Sequence, residues 1–252
     1  MIWLPNQHPL FIFAVSLAAL SATVWIGGSI PNRFRHEGAQ NREDFNVIQG
    51  VTLTLLGLII GFTFSMAIGR YDQRKVLEEA EANAIGTAYV RADLLPTESG
   101  DRVRALLKDY LALRVRFYVA GYDGLAQINA QTSKIQSELW AETVKFTANR
   151  TDPVAALVIS GMNDVINSRG YTQAAWWNRI PPGAWTLMEF IAFCACALTS
   201  FGARGFSMNR KIFFILPVVL STAFFLIADI DSPREGAIRV IPQNLVDLAQ
   251  SL

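Results

Sequence analysis

The chain has 252 residues, of which 52% are hydrophobic and 17% charged, and its formal net charge at pH 7 is +1. Its apolar residues are concentrated in blocks, a distribution typical of a multi-span membrane protein rather than of a soluble globular domain. The net charge does not bear on nucleic acid, but the chain has no long basic run and no zinc-type Cys/His spacing, so nucleic acid is not among the expected partners.

Four apolar blocks are each long enough to cross the roughly 30 Å hydrocarbon layer of a bilayer as a helix. They cover residues 9–30, 47–69, 183–203 and 212–230. The first block has no Lys or Arg on its N-terminal flank and is too long for the apolar core of a signal peptide, so we interpret it as a retained span. The lipid bilayer is therefore the first expected partner.

The second block runs directly into charged sequence. Residues 47–69 carry no formal charge, and Arg70, Asp72, Arg74 and Lys75 follow without a proline or a glycine cluster. Since nothing there ends a helix, the sequence predicts one helix that leaves the membrane and continues to residue 95.

The region between the second and third blocks has the periodicity of helices. Apolar side chains recur every three or four positions in residues 106–117, and Pro153 opens a last helix that Pro181-Pro182-Gly183 breaks. No strand-like alternation of useful length occurs. The sequence therefore predicts an all-α integral membrane protein with four transmembrane helices and a helical extramembrane region between spans 2 and 3.

The expected domain organisation follows from these elements. Residues 1–69 hold transmembrane spans 1 and 2, 70–182 the soluble helical region, 183–231 spans 3 and 4, and 232–252 a C-terminal tail. With four spans, both termini and the helical region share one side of the membrane. Lys and Arg are distributed almost equally between the two sides and do not decide which side this is.

One face of the second span is small and partly polar. At 100° per residue, six residues fall within a sector of about 120°. They are Thr54, Leu58, Gly61, Phe62, Ser65 and Gly69, and we call them the candidate lining face.

Two interpretations of this face are open. In the first, Gly57-x-x-x-Gly61 lets helices pack closely. In the second, the face lines a pore, where its hydroxyls tolerate water and Leu58 and Phe62 form an apolar constriction. One such helix cannot enclose a pore, so the second interpretation requires a symmetric homo-oligomer.

Three further groups of charged residues have competing interpretations. Arg70 lies at the mouth of the proposed pore and either attracts anions there or extends to the membrane interface. Glu189 is an intramembrane acid, which is a functional candidate unless water or Arg179 reaches it near the end of the third span. Glu78, Glu79 and Glu81 are expected to form a solvated face of the continuing helix.

Catalysis is not expected. The chain has no nucleophile elbow, P-loop, dinucleotide fingerprint or zinc-protease motif, and its two histidines, His8 and His36, have no ligand-spaced neighbours. Cys194 and Cys196 point about 200° apart on a helix, which disfavours a shared metal. No catalytic residue, metal or cofactor is therefore predicted.

Several segments of the chain resemble the bestrophin-like domain family of bacterial membrane proteins, and more remotely the bestrophin ion channels. These segments are residues 58–62, 70–74, 81–86, 138–140, 178–182 and 228–240. The resemblance to the bestrophin-like family covers most of the chain from the second span onward, whereas the resemblance to true bestrophins rests mainly on that span.

The resemblance implies a function and a site. Bestrophins are pentameric ion channels with four spans per subunit, a cytosolic helical region and a neck of second-span side chains. The neck positions here would be Thr54, Leu58 and Phe62, of which Thr54 departs from the bulky apolar residue expected. Animal bestrophins bind calcium through acids after the last span, but the acids in residues 229–235 are too few for a site of six to eight ligands.

The resulting hypothesis is a bestrophin-like protein of the bacterial inner membrane with a cytoplasmic helical region. It would form a homo-oligomer, a pentamer by resemblance, and act as an oligomeric ion (anion) channel that passes small inorganic ions along its second spans. The alternative is a non-conducting membrane scaffold or sensor that assembles through its helical region.

Overall fold

The structure is a computed structural model that describes residues 8–27, 39–148, 150, 152–202 and 210–252. Its α-helices are α1 Pro9–Gly27, α2 Ala39–Arg91, α3 Thr97–Val119, α4 Leu125–Thr147, α5 Pro153–Trp177, α6 Pro182–Gly202, α7 Ile215–Asp231 and α8 Gln243–Ser251. Short 3₁₀ helices cover Ala92–Leu94, Tyr122–Gly124 and Arg210–Phe214. His36 and the predicted span ends at residues 28–30 and 203 lie outside the described residues.

Four helical stretches are long and apolar enough to cross a membrane. They are Pro9–Gly27, Glu43–Leu94, Pro153–Gly202 and Ile212–Asp231. The ranges that the structure describes contain no strand. The protein is therefore an all-α integral membrane protein with four transmembrane helices and a helical region between spans 2 and 3, as the sequence predicts.

The helix α2 is continuous through the transition from apolar to charged sequence. It has 53 residues, a length of about 80 Å at 1.5 Å per residue. The prediction of one helix through this transition is confirmed, with the 3₁₀ turn Ala92–Leu94 in place of its last residues.

The helices are arranged in two compact units. The first unit consists of the described parts of Met1–Gly69 and Arg179–Ile238, and the second of Arg70–Asn178 and Arg239–Leu252. In the first unit, α1 packs against α6 and α7. The Ser200 hydroxyl on α6 donates a hydrogen bond to the Val24 carbonyl on α1 at 2.6 Å, and Gly27 leaves room for that serine, since a Cβ there would lie 3.0 Å from its Oγ.

In the second unit, α3 packs against α4 and α4 packs against α5, around one apolar core. The fully buried members of this core include Ile85, Leu107, Tyr110, Leu139 and Val165. The apolar stripe predicted on α3 lies in this core, because its side chains recur at the helical spacing that places them on one face.

The buried stripe on α3 can be tested with two valines of the same helix. Val103 is 2% exposed and Val119 is 69% exposed. Val103→Ala should lower the free energy of unfolding by about 2 kcal/mol, because two methyl groups leave the core and a cavity remains. Val119→Ala should change it by less than about 0.5 kcal/mol. Chemical denaturation of the detergent-solubilised protein, followed by tryptophan fluorescence, measures both, and equal effects would contradict the assigned core.

Candidate functional site

All six residues of the candidate lining face lie on α2 and are exposed in the single chain. Leu58 is 53% exposed and Phe62 is 65% exposed, whereas Leu56 and Ala67 are 2% and 0% exposed. At 100° per residue, Leu56 and Ala67 lie about 160° and 180° around the helix from Leu58. One side of this span therefore packs against the rest of the chain, and the candidate lining face is on the opposite, open side.

The glycines of the second span make no close contact with other helices among the described residues. A Cβ built at Gly57, Gly61 or Gly69 meets no atom within 4 Å among the described residues. The interpretation of Gly57-x-x-x-Gly61 as a close-packing motif is therefore excluded for contacts inside the described part of the chain. These glycines leave space between the larger side chains on the exposed surface of α2.

Hydroxyl groups on this span are bonded to their own helix. Thr54 Oγ1 donates a hydrogen bond to the Gly50 carbonyl at 2.9 Å, and the buried Thr63 does the same to the Ile59 carbonyl at 2.8 Å. The proton of Thr54 is thus used within the helix, and the lone pairs of its oxygen stay available on the open face.

The open faces of the other spans are composed differently. On α6 the exposed large residues are Leu187 and Phe190, and on α7 they are Ile215, Val218, Val219 and Leu226. Exposed threonines also occur on these two helices, at Thr186 and Thr222. The open face of α2 therefore differs from them in the glycines in the middle of the span, Gly57 and Gly61.

The sequence analysis missed two residues of this face. Val47 and Val51 are 64% and 63% exposed, and their helical positions lie within about 20° of Leu58. The same periodicity that defines the candidate lining face would have found them if it had been extended toward the N-terminus of α2.

Arg70, the predicted mouth residue, is half-buried, and its side chain is directed toward the end of α5. Its guanidinium donates a hydrogen bond to the Asn178 side chain at the end of α5. Arg74, one turn later, is 1% exposed and donates from Nε to the Ala175 carbonyl at 3.2 Å. Both cations lie at the C-terminal end of α5, where the helix dipole favours positive charge.

Glu189, the predicted intramembrane acid, is half-buried on α6. It lies next to the fully buried Met188 and belongs to a different helix from the candidate lining face. Its functional role stays a prediction.

The acids at the end of the last span are hydrogen-bonded to two backbone segments, the loop that follows and the turn before α6. The two carboxylate oxygens of Asp229 accept hydrogen bonds from the Ala237 and Ile238 amides at 2.8 and 2.9 Å. Those of Asp231 accept from the Ile180 amide, both at 3.2 Å. Only glycine fits at position 236, since a Cβ there would lie 2.4 Å from the Asp229 carbonyl oxygen. Among the described residues no group of three His, Cys, Asp or Glu side chains is arranged to hold a metal.

The three glutamates early in the second unit were expected to be exposed to solvent, and two of them are buried. Glu79 is exposed as predicted, but Glu78 and Glu81 are 2% and 0% exposed, so the predicted solvated face is wrong for these two. Their positions turn them toward the packed side of α2, where partners distant in the sequence are available. Glu78 accepts from the Leu245 amide at 2.9 Å and from the Asn244 amide group at 2.6 Å, and so caps the start of α8.

Glu81 forms a buried ion pair with Arg114 of α3. Arg114 Nε lies 2.5 Å from Glu81 Oε1, and Thr172 Oγ1 donates to Glu81 Oε2 at 3.1 Å. Burial acts to lower the pKa of the Arg114 guanidinium, but the carboxylate of Glu81 beside it raises that pKa above its ordinary value. Burial also raises the pKa of the neighbouring Tyr118, with the charge of Glu81 acting in the same direction, so this phenol stays protonated. The cluster is a closed structural network rather than a reactive site.

Comparison with known proteins agrees with this architecture. A family model described as the Bestrophin-like domain matches residues 14–245, which confirms the resemblance predicted from the sequence. No curated protein matches the chain.

Solved structures share the fold at low sequence identity. A tryptophan-to-alanine variant of a bacterial bestrophin homolog from Klebsiella pneumoniae is 13% identical with a TM-score of 0.63, and the match covers 96% of this chain and 97% of that one. An isoleucine-to-threonine variant of that homolog has the same identity and TM-score, with coverage of 96% and 98%. A leucine-to-alanine variant described as a membrane protein is 12% identical with a TM-score of 0.64 and the same coverage.

The buried ion pair provides a stability test with a control on the same helix. Glu81→Gln should lower the free energy of unfolding by about 3–5 kcal/mol, because Arg114 stays buried without its counter-charge. Glu79→Gln, at an exposed position, should change it by less than about 0.5 kcal/mol. Denaturant titration of the purified variants measures both.

A double variant separates the cost of an unpaired charge from the contribution of the pair. Glu81→Leu combined with Arg114→Met removes both charges and should be more stable than Glu81→Gln, because no charge is left buried alone. A double variant at least as unstable as Glu81→Gln would contradict this account.

Proposed function

Because the chain belongs to the bestrophin-like domain family, we propose that it forms a symmetric homo-oligomer, a pentamer as in bestrophins, whose second spans line an ion-conducting pore. The protein would be a channel rather than an enzyme and would lie in the bacterial inner membrane. Its partners would be the lipid bilayer and small inorganic ions. The helical region of residues 70–182 would stand outside the bilayer, and its cytoplasmic location stays a prediction.

The observation that supports this proposal best is the open face of α2. Its side chains are exposed, whereas Leu56, Thr63 and Ala67 on the opposite side of the same helix are buried. Symmetric copies around an axis bring the same helix face of every subunit to that axis. Glycines and hydroxyls on such a face suit a water-filled path, because they leave space and offer hydrogen bonds.

Leu58 and Phe62 would form the constriction. Both are large, apolar and more than half exposed in the subunit, and Phe62 lies one turn after Leu58. Rings of such side chains around a narrow axis exclude water and so oppose the passage of a hydrated ion. Thr54, one turn before Leu58, would make the constriction wider and wetter at that end.

A non-conducting scaffold or sensor is the second candidate. The second unit exposes large apolar side chains, among them Val76, Val90, Tyr171 and Trp177, which are 62%, 66%, 62% and 73% exposed. Such residues suit contacts between copies or with another protein. In this case the open face of α2 would be filled by neighbouring helices instead of water.

Replacement of the proposed constriction distinguishes the two functions. Leu58→Ala combined with Phe62→Ala should raise the ion flux of purified protein in liposomes, because the apolar barrier to water is removed. A matched control is Leu187→Ala combined with Phe190→Ala on α6, where the two side chains are 48% and 64% exposed. The control variant should show the flux of the wild type, because those positions lie on a different helix from the proposed lining.

The scaffold predicts a different result for the same double variant. If Leu58 and Phe62 pack against other copies, their removal should loosen the oligomer, seen by size-exclusion chromatography, at a cost of several kcal/mol. A loosened oligomer without added flux would overturn the channel and favour the scaffold.

A further inference from the structure

The open face of α2 continues beyond the apolar segment to an acidic residue. Asp72 follows Gly69 on the same uninterrupted helix, and its position is within about 20° of Ser65 and about 40° of Leu58 around the helix axis. Its side chain is exposed and makes no hydrogen bond or ion pair within the part of the chain that the structure describes. After Gly69, this carboxylate is therefore the first charge that lies in the same direction around the helix as the candidate lining face.

The arginines on either side of Asp72 do not share this face. Arg70 lies about 120° and Arg74 about 160° from Leu58 around the helix. Arg70 is hydrogen-bonded to Asn178, and Arg74 is 1% exposed against the end of α5. Two positive charges that the sequence places next to the proposed mouth are thus directed to the packed side.

The remaining exposed charges of these turns are Lys75 and Glu79. Lys75 lies about 100° from Leu58, outside the sector of the candidate lining face, and Glu79 lies at its edge, about 60° away. The charge that projects most nearly in the direction of Leu58 is therefore negative.

We propose that Asp72 forms a ring of carboxylates at one mouth of the pore and makes the channel select cations over anions. The inference rests on the proposed function, since only a pore along α2 brings copies of Asp72 together. A ring of like charges at a narrow opening raises the local concentration of ions of opposite sign and excludes ions of the same sign. This assigns the permeant ion a class, small inorganic cations, and replaces Arg70 with Asp72 as the charged residue at the mouth.

The test measures ion selectivity in planar bilayers with KCl gradients. The wild-type oligomer, and the variant with Leu58→Ala and Phe62→Ala if the wild type is closed, should pass K⁺ in preference to Cl⁻. Asp72→Asn in the same background should lower the permeability ratio of K⁺ to Cl⁻ by roughly 25-fold, because a unit charge about 4 Å from an ion in water changes the local concentration of K⁺ about fivefold in one direction and that of Cl⁻ about fivefold in the other. The matched control is Asp109→Asn, because Asp109 is an exposed acid on α3 and its replacement changes the net charge equally. It should leave the ratio unchanged.

Salt dependence provides a second measurement on the same protein. The preference for K⁺ should weaken as KCl rises from about 0.01 M to 1 M, because the Debye length falls from about 30 Å to 3 Å. The difference between wild type and Asp72→Asn should weaken with it.

The outcomes separate this inference from the proposed function. A conducting oligomer that prefers Cl⁻, or one whose ratio is the same in Asp72→Asn and wild type, overturns the role of Asp72 and leaves the channel intact. A folded oligomer that conducts in neither background overturns the channel, and the role of Asp72 with it.

Discussion

One side of α2 must be buried, and this constraint determines what the rest of the helix can do. Leu56 and Ala67 in the first unit, and Ile85 and Ala88 in the second, are each at most 5% exposed. They recur at helical spacing and hold a single side of the helix against its own chain. The other side is not covered by the described residues, and its composition decides whether lipid, water or a second copy lies against it.

The buried charges of Glu81 and Arg114 fix how the helices are aligned along one another and take no part in a reaction. Glu81 on α2, Arg114 on α3 and Thr172 on α5 meet at one point, so each of three helices has one residue that must reach it. Taking two charges out of water is costly, and the hydrogen bonds of the carboxylate offset that cost only in one arrangement. An apolar contact tolerates sliding by a fraction of a turn, whereas this pair does not.

Hydrophobicity and periodicity are sufficient to predict the helical class, the four spans, the continuity of α2 and the open face around Leu58, because each depends on residues close together in the sequence. Glu81 could not be assigned in this way, since its partners on α3 and α5 are 33 and 91 residues away. The direction of the Arg70 side chain could not be predicted for the same reason. The sequence shows the charge of Arg70, but its side chain is oriented by a hydrogen bond to Asn178, 108 residues later.

The helix α8 is stabilised by contacts with other parts of the second unit. It has nine residues, fewer than the roughly 12–15 that an isolated helix needs in water, and the carboxylate of Glu78 and the buried Leu245 hold it to the second unit. Segments of this kind open by local unfolding at a low free energy. Hydrogen exchange of the α8 amides therefore reports on the packing of Glu78. These amides should exchange faster whenever the hydrogen bonds of Glu78 are weakened, and well before the amides of the core around Leu107.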